Sequence, residues 1–420
     1  MLPLLLLLMV CATGGCKQGP WTLWNAYETR FIDQQGRVFD PQGDQHSTSE
    51  GQAYALFFAL AGNDRAQFDR VLNWTQANLA RNDLTANLPS WLWGKDKDGA
   101  WKTLDANSAS DADLWMAYTL VEAGRLWNAP LYTTLGKGMM ARIAATEVAD
   151  LPGFGLMLLP GETGFVHQTA LTNQPQQPSL EAEAEPAQHQ SGKHKNEPPP
   201  LPASQSAPAQ TFMVNPSYLP PFLFARLASL DPAGPWRQLG ANIPLLLGQS
   251  ARHGFAMDWV EYVPGDGFHP VTQQQPSGMA TEGPGGSYDA IRVYLWAGMM
   301  APEGAMRKTV LEAVPGMSVY LADHGAPPEK VSDQGLPLAQ DGPVGFSAAV
   351  LPYLKAYPGL TRIYAQQRVR LSQLRDGSTG LYGKDLTYYD QNLALFAMGF
   401  LDGVFQFGPG GELKVEWKRR

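Results

Sequence analysis

Six stretches of this chain are apolar on nearly every side, and between them run stretches that are apolar on one face only. The first kind begins near Glu50, Asp111, Tyr218, Asp289, Ser347 and Tyr389 and is rich in Ala, Gly, Leu and aromatic residues. A helix without a polar face has no side to turn to water, so each is predicted to be buried. The second kind, including 64–79, 131–147 and 304–321, repeats its apolar residues at helical spacing and predicts surface helices. Buried and surface helices alternate about every 60 residues once one low-complexity stretch is set aside, with a shorter last interval of about 42. Six such hairpins close into a ring with the buried helices inside. The predicted fold is therefore all-α, an (α/α)6 barrel with minor β-strand segments. Inner helices of such a ring run parallel, and their N-termini share one face.

The low-complexity stretch interrupts this pattern. No aromatic residue occurs between Val166 and Thr211, and the segment is dominated by Gln, Pro, Glu, Ala and Ser. Such a composition buries too little apolar surface to offset the entropy of ordering it. Residues 169–210 are read as a disordered insertion between two extended segments, within a single domain spanning 17–420. Its histidines, His167, His189 and His194, read as solvated side chains. Residues 1–16 read as a signal peptide, a short apolar run followed by small residues and too short to span a membrane. Gly15-Cys16 resembles a lipoprotein cleavage site, so both a free and a lipid-anchored periplasmic or secreted chain remain open.

Composition narrows the chemistry. The net charge is −8 with 17% charged residues, which offers no basic footprint for nucleic acid. Both cysteines, Cys11 and Cys16, fall in the leader, which excludes disulfides, thiol nucleophiles and cysteine-based zinc sites. No metalloprotease helix motif, serine elbow or phosphate loop is present, and no cofactor or metal is expected. What remains is carboxylates.

Three of them stand in similar settings. Glu50, Asp111 and Asp289 each follow Ser or Thr closely, at the predicted start of a buried helix. Each has a local explanation. Ser47-x-x-Glu50 fits a capping box, Asp111 and Asp113 suit the positive end of a helix, and Asp289 follows Ser287 in the same way. The surrounding aromatics, Tyr54, Trp115, Tyr118, Tyr288 and Tyr294, argue for the other reading, three acids meeting in one cleft. Arg292, one turn beyond Asp289, suits either a structural ion pair or a group holding that acid ionised. Paired carboxyl groups, one protonated and one ionised, are the equipment for hydrolysing a glycosidic bond.

The segment Ala109-Ser-Asp-Ala-Asp-Leu-Trp-Met-Ala117, running on to Glu122-Ala-Gly-Arg-Leu-Trp127, resembles the signature of glycoside hydrolase family 8. Supporting stretches are Thr48-Ser-Glu-Gly-Gln52, Trp91-Leu-Trp-Gly94, Asn215-Pro-Ser-Tyr218 and Ser287-Tyr-Asp-Ala-Ile-Arg292. The likeness is strongest to the periplasmic cellulases of that family that accompany bacterial cellulose synthesis, and it does not cover the insertion. It implies an inverting endo-β-1,4-glucanase whose partner is a β-1,4-glucan chain, acting beside a cellulose synthase and export complex. It makes Glu50 the general acid, Asp289 the general base and Asp111 the acid that binds the sugar. Tyr218, Arg292, Tyr389 and one of Trp91 and Trp93 would complete the binding site. Two other readings use the same residues: a toroid hydrolase of chitosan, xylan or mixed-linkage glucan, and a glycan-binding subunit without activity.

Overall fold

The computed structural model describes residues 21–168, 210–272 and 283–419. The predicted signal peptide with Cys16, and the insertion from 169 to 209 with His189 and His194, lie outside the described residues. Thirteen α-helices occur among those described: α1 (Thr22–Phe31), α2 (Ser49–Ala61), α3 (Arg65–Leu79), α4 (Ser110–Leu126), α5 (Pro130–Thr146), α6 (Pro221–Leu230), α7 (Trp236–Ser250), α8 (Ile291–Met299), α9 (Arg307–Ala313), α10 (Gly316–Asp323), α11 (Val344–Lys355), α12 (Thr361–Gln373) and α13 (Tyr388–Leu401).

The six buried stretches become α2, α4, α6, α8, α11 and α13, the inner ring of an (α/α)6 barrel. Every residue of α2 except Glu50 is buried, every residue of α4 except Arg125, and all of α8. Five inner helices or their extensions meet on an aromatic plug at the axis. Trp115 of α4 lies 4.9 Å from Phe57 of α2, 4.9 Å from Phe396 of α13 and 5.4 Å from Trp296 of α8. Phe222 of α6 stacks on Phe407 at 3.9 Å. Tilted and edge-on pairs of this kind each add about 0.5–1.5 kcal/mol beyond the area they bury. Close approach of α8 to α11 depends on Gly298, where a Cβ would fall 2.1 Å from the Tyr353 backbone nitrogen.

Outer helices show the predicted one-sided burial. In α3 the buried residues include Phe68, Val71, Leu72 and Leu79, and Asp64 caps the helix by accepting from the Gln67 N–H at 3.0 Å. The N-terminal α1 closes the ring from outside, burying Leu23, Trp24, Tyr27 and Phe31 at helical spacing. Its Tyr27 and Phe31 pack on Tyr388 at the start of α13, at 6.2 and 5.6 Å.

Three local readings are corrected. The stretch 304–321 is two helices, α9 and α10. Val314 before Pro315 sits at φ −126°, ψ 52°, outside the helical region that a following proline disfavours. Tyr218 lies in a 3-10 turn, Pro216–Tyr218, ahead of α6, because Pro220 and Pro221 postpone the helix. Asp289 sits in the turn before α8 rather than in the helix, which begins at Ile291.

Short antiparallel sheets rim the face where the inner helices begin. Ser47–Thr48 pairs with Leu92–Lys95, which pairs with Trp101–Asp105, so the Trp91 hairpin stands over the start of α2. A second sheet orders Val166–Gln168, Gln210–Val214, Val260–Val263 and Gly267–Pro270. Val166 pairs with Phe212 and Gln168 with Gln210, so the segments on either side of 169–209 are adjacent strands. Among the described residues, no helix is long and apolar enough to cross a membrane.

Candidate active site

Glu50 enters the cleft because its helix is capped by another residue. Thr48 Oγ1 accepts from the Gly51 N–H at 3.2 Å, and Glu50 is left free of capping. The Ser47 capping box is therefore not formed. Trp91 Nε1 donates to Glu50 Oε1 at 3.2 Å instead. Desolvation by the crowded surroundings, followed by the charge of Asp111, raises the Glu50 carboxyl from its ordinary range to about 8, against the lowering pull of its own backbone N–H, Arg292 and the Trp91 bond. That direction favours the protonated form near neutral pH.

Arg292 joins the other two acids. Its Nη1 lies 2.8 Å from Asp111 Oδ2 and 3.0 Å from Tyr54 Oη, and its Nη2 lies 2.6 Å from Asp289 Oδ1. Helices α2, α4 and α8 thereby meet through one guanidinium, as the parallel inner ring predicts. Asp111 and Arg292 are buried, whereas the Asp289 side chain keeps 29% of its surface open to the cleft. Asp111 Oδ1 also takes the Ala112 N–H at 2.8 Å. Burial raises the Asp111 pKa, with Arg292 opposing.

Tyr218 stands beneath the Arg292 guanidinium, 5.4 Å from ring to charge, and edge-on to Trp259 at 6.1 Å. Burial and then Asp111, Asp289 and Glu50 push its hydroxyl up, which keeps it a neutral donor facing all three acids. The Tyr389 hydroxyl donates to the Tyr288 carbonyl, one residue before Asp289, and its pKa is raised first by burial. Its neighbour Tyr388 turns away to Tyr27 and Phe31. The two tryptophans separate. Trp91, 38% exposed, is the one at Glu50. Trp93 stacks face to face on exposed Trp101 at 4.8 Å and meets Trp74 edge-on at 5.2 Å.

One residue that organises this site has no local sequence signal. Asp258, on the loop before the strand Val260–Val263, accepts from the Ser287 N–H at 2.8 Å, the Ser287 hydroxyl at 2.6 Å and the Ala290 N–H at 2.7 Å. It clamps the turn on both sides of Asp289. Burial and the charge of Asp289 raise Asp258 to about 6.

The sequence model of glycosyl hydrolases family 8 matches residues 2–183 and 203–403. The chain belongs to that family. It is a glycoside hydrolase, and the all-α ring with its rim of short strands is the fold of its relatives. An endoglucanase of Xanthomonas axonopodis pv. citri is 40% identical over 95% of this chain and 90% of its own. An endoglucanase of Escherichia coli K12 is 37% identical over 94% of this chain and 91% of its own. The crystal structure of an endo-1,4-D-glucanase from Vibrio fischeri ES114 superposes with a TM-score of 0.74 at 31% identity, covering 95% of this chain and 99% of that one.

Proposed function

We propose that this chain is an endo-β-1,4-glucanase that cleaves cellulose chains with inversion, with Glu50 as proton donor and Asp289 as base. The observation that carries this reading is the split between two carboxyl groups at one mouth of the ring. Glu50 is pushed up to about 8, while Asp289 is paired with Arg292 at 2.6 Å. A pair of carboxyl groups whose environments differ in this way divides into acid and base.

In the reaction, Glu50 protonates the glycosidic oxygen as its bond to the anomeric carbon breaks. Asp289 takes a proton from water as that water attacks the opposite face of the same carbon. Asp111, fixed by Arg292, accepts hydroxyl hydrogens of the sugar whose anomeric carbon is attacked. Tyr218 donates to that sugar. Trp91 and the Trp93–Trp101 stack offer faces on which glucose rings lie, and Tyr389 holds the Asp289 side of the cleft. The names of relatives above 30% identity support an internal β-1,4-glucan bond as the target. The apolar run at 2–10 supports export, and with it action on cellulose outside the cytoplasm beside the synthesis and export complex.

The test is incubation with cello-oligosaccharides and carboxymethylcellulose, following chain length and the anomeric form of new ends by NMR. Internal cuts that first release the α-anomer are expected. First appearance of the β-anomer would contradict the mechanism. Cleavage of chitosan or xylan in preference to cellulose would move the substrate.

A further inference from the structure

Two residues beyond Asp111, α4 carries another acid that faces away from the cleft. Asp113 is fully buried, and neither carboxyl oxygen meets a hydrogen-bond donor among the described residues. Glu147, just past the end of α5, is also fully buried. Its Oε1 accepts from the Ser108 hydroxyl at 2.5 Å, and its Oε2 likewise meets no donor. The two carboxyl groups lie close enough for each to shift the other's titration. Ionised carboxylates only accept, so two of them cannot bond to one another. Two like charges buried together also oppose each other's ionisation. A single proton removes both difficulties, because it turns one carboxyl into a donor and leaves one negative charge on the pair. The other titratable groups facing the pair are Asp111 and Glu162, both acidic. Arg142 of α5 is engaged by Glu162 at 3.3 Å.

We propose that Asp113 and Glu147 share one proton, and that this proton fastens the first turn of α4, and with it Asp111, to the end of α5. The backbone around them supports a fastening role. The Ser110 N–H donates to the Pro160 carbonyl at 2.9 Å, and the Leu159 N–H donates to the Glu147 carbonyl at 2.7 Å. The Ser108 hydroxyl, which donates to Glu147, also accepts from the Glu162 N–H at 3.0 Å. Residues 147–162 thus grip the start of α4, and the Asp113 and Glu147 carboxyl groups are buried inside the grip. Burial raises both groups, Glu147 to about 8, and the proton belongs to the pair rather than to either residue. The shared proton stands on this geometry alone, while its use in placing Asp111 rests on the role proposed above for that residue.

Glu147→Gln isolates the proton. The amide N–H replaces it as donor and leaves Asp113 as the only ionisable member of the pair. A carboxyl raised on folding contributes stability that is complete below its unfolded value and is lost as pH rises through its folded value. For Glu147 that window runs from about 4.5, the ordinary carboxyl value, to about 8. Melting temperature measured from pH 5 to 9 should therefore fall less steeply in Glu147→Gln than in the wild type, the gap between them changing by a few degrees. Asp113→Asn should flatten the curve in the same way and serves if the Glu147→Gln variant does not fold. Parallel curves in both variants would overturn the shared proton. For the fastening role, KM on cello-oligosaccharides should rise several-fold above pH 8 in the wild type but not in Glu147→Gln; an equal rise in both would overturn that role. A wild type that hydrolyses no glucan would instead defeat the assigned activity, and the melting curves would still be readable.

Discussion

The Trp91 indole donates its N–H to Glu50 Oε1 at 3.2 Å, so the residue proposed to stack on sugar also tunes the acidity of the proposed proton donor. The bond favours the ionised carboxylate and lowers a pKa that burial and Asp111 raise to about 8. Activity that needs protonated Glu50 is lost as pH rises through that value. Replacing Trp91 by Phe removes the donor, so the alkaline limb of kcat/KM should move upward. Asp111→Asn removes the opposing negative charge and should move the same limb downward, alongside its loss of sugar binding. Limbs that move together, or not at all, would mean that another group controls the alkaline side.

Glu50→Gln should reduce hydrolysis by about 10²–10⁴-fold while the protein stays folded. It should also stabilise the protein at alkaline pH. A carboxyl with a raised folded pKa supports the fold fully below the unfolded value and loses that support as pH rises towards about 8. Gln does not ionise. Thermal melts at pH 5 and pH 9 should show the variant gaining on the wild type at the higher pH; no gain would mean that water reaches Glu50 well enough to solvate its charge.

Arg292 carries two acids on one guanidinium in a buried setting. Removing one member of a buried ion pair leaves an uncompensated charge, at a cost of about 3–5 kcal/mol. Arg292→Met should destabilise the fold by that amount in urea unfolding and abolish turnover. Arg292→Lys keeps the charge but cannot reach both carboxylates with a planar fork, so it should recover stability better than activity. Near-wild-type stability in the Met variant would contradict the buried triad.

Asp258 holds the turn that aims Asp289. Asp258→Ala loses three hydrogen bonds to that turn. It should lower kcat more than it raises KM, because the groups proposed to bind the sugar, Asp111, Tyr218 and Arg292, stay in place. Asp258→Asn retains an acceptor and should recover part of the rate. A KM effect alone would show that the turn serves binding rather than the attack of water.

Gly51 is the price of packing Tyr388 against the first turn of α2. A Cβ there would lie 2.1 Å from the Tyr388 hydroxyl oxygen, and that ring is held by Tyr27 and Phe31. Gly51→Ala should displace the first turn of α2 and cut activity; Gly51→Ala with Tyr388→Phe should restore part of it. Additive losses in the double variant would rule out the clash as the cause.

The ring was legible in the sequence because inner and outer helices carry different signals. All-round apolar stretches such as α2 and α8 have no solvent face, and α3 announces itself by Asp64 at its cap and Phe68, Val71 and Leu72 along one side. Tyr218 and Asp289, read as site residues, were placed at helix starts that the structure does not give them. Local rules assigned them to helix starts, whereas prolines delay α6, and the turn before α8 is held by Asp258 from 29 positions earlier in the chain. The same limit hid Asp258 and Glu147. Both act through partners distant in sequence, and neither stands in a pattern that propensity or periodicity reads. The direction of Glu50 was equally invisible, since Thr48 and Ser47 are both competent caps and only the packed structure chooses between them.

The ring is closed by its two ends. Helix α1 seats against α13, and Trp417 reaches back to donate to the Leu60 carbonyl at 3.2 Å, so early elements of the ring are completed by elements far along the chain. Contacts of such long sequence separation make folding slow and postpone it until nearly the whole chain is free. A chain whose α13 has not yet joined is therefore held short of its closed ring. The cleft face, built from α2, α4 and α8 and braced by Tyr389 of α13, is thus among the last parts of the molecule to be completed.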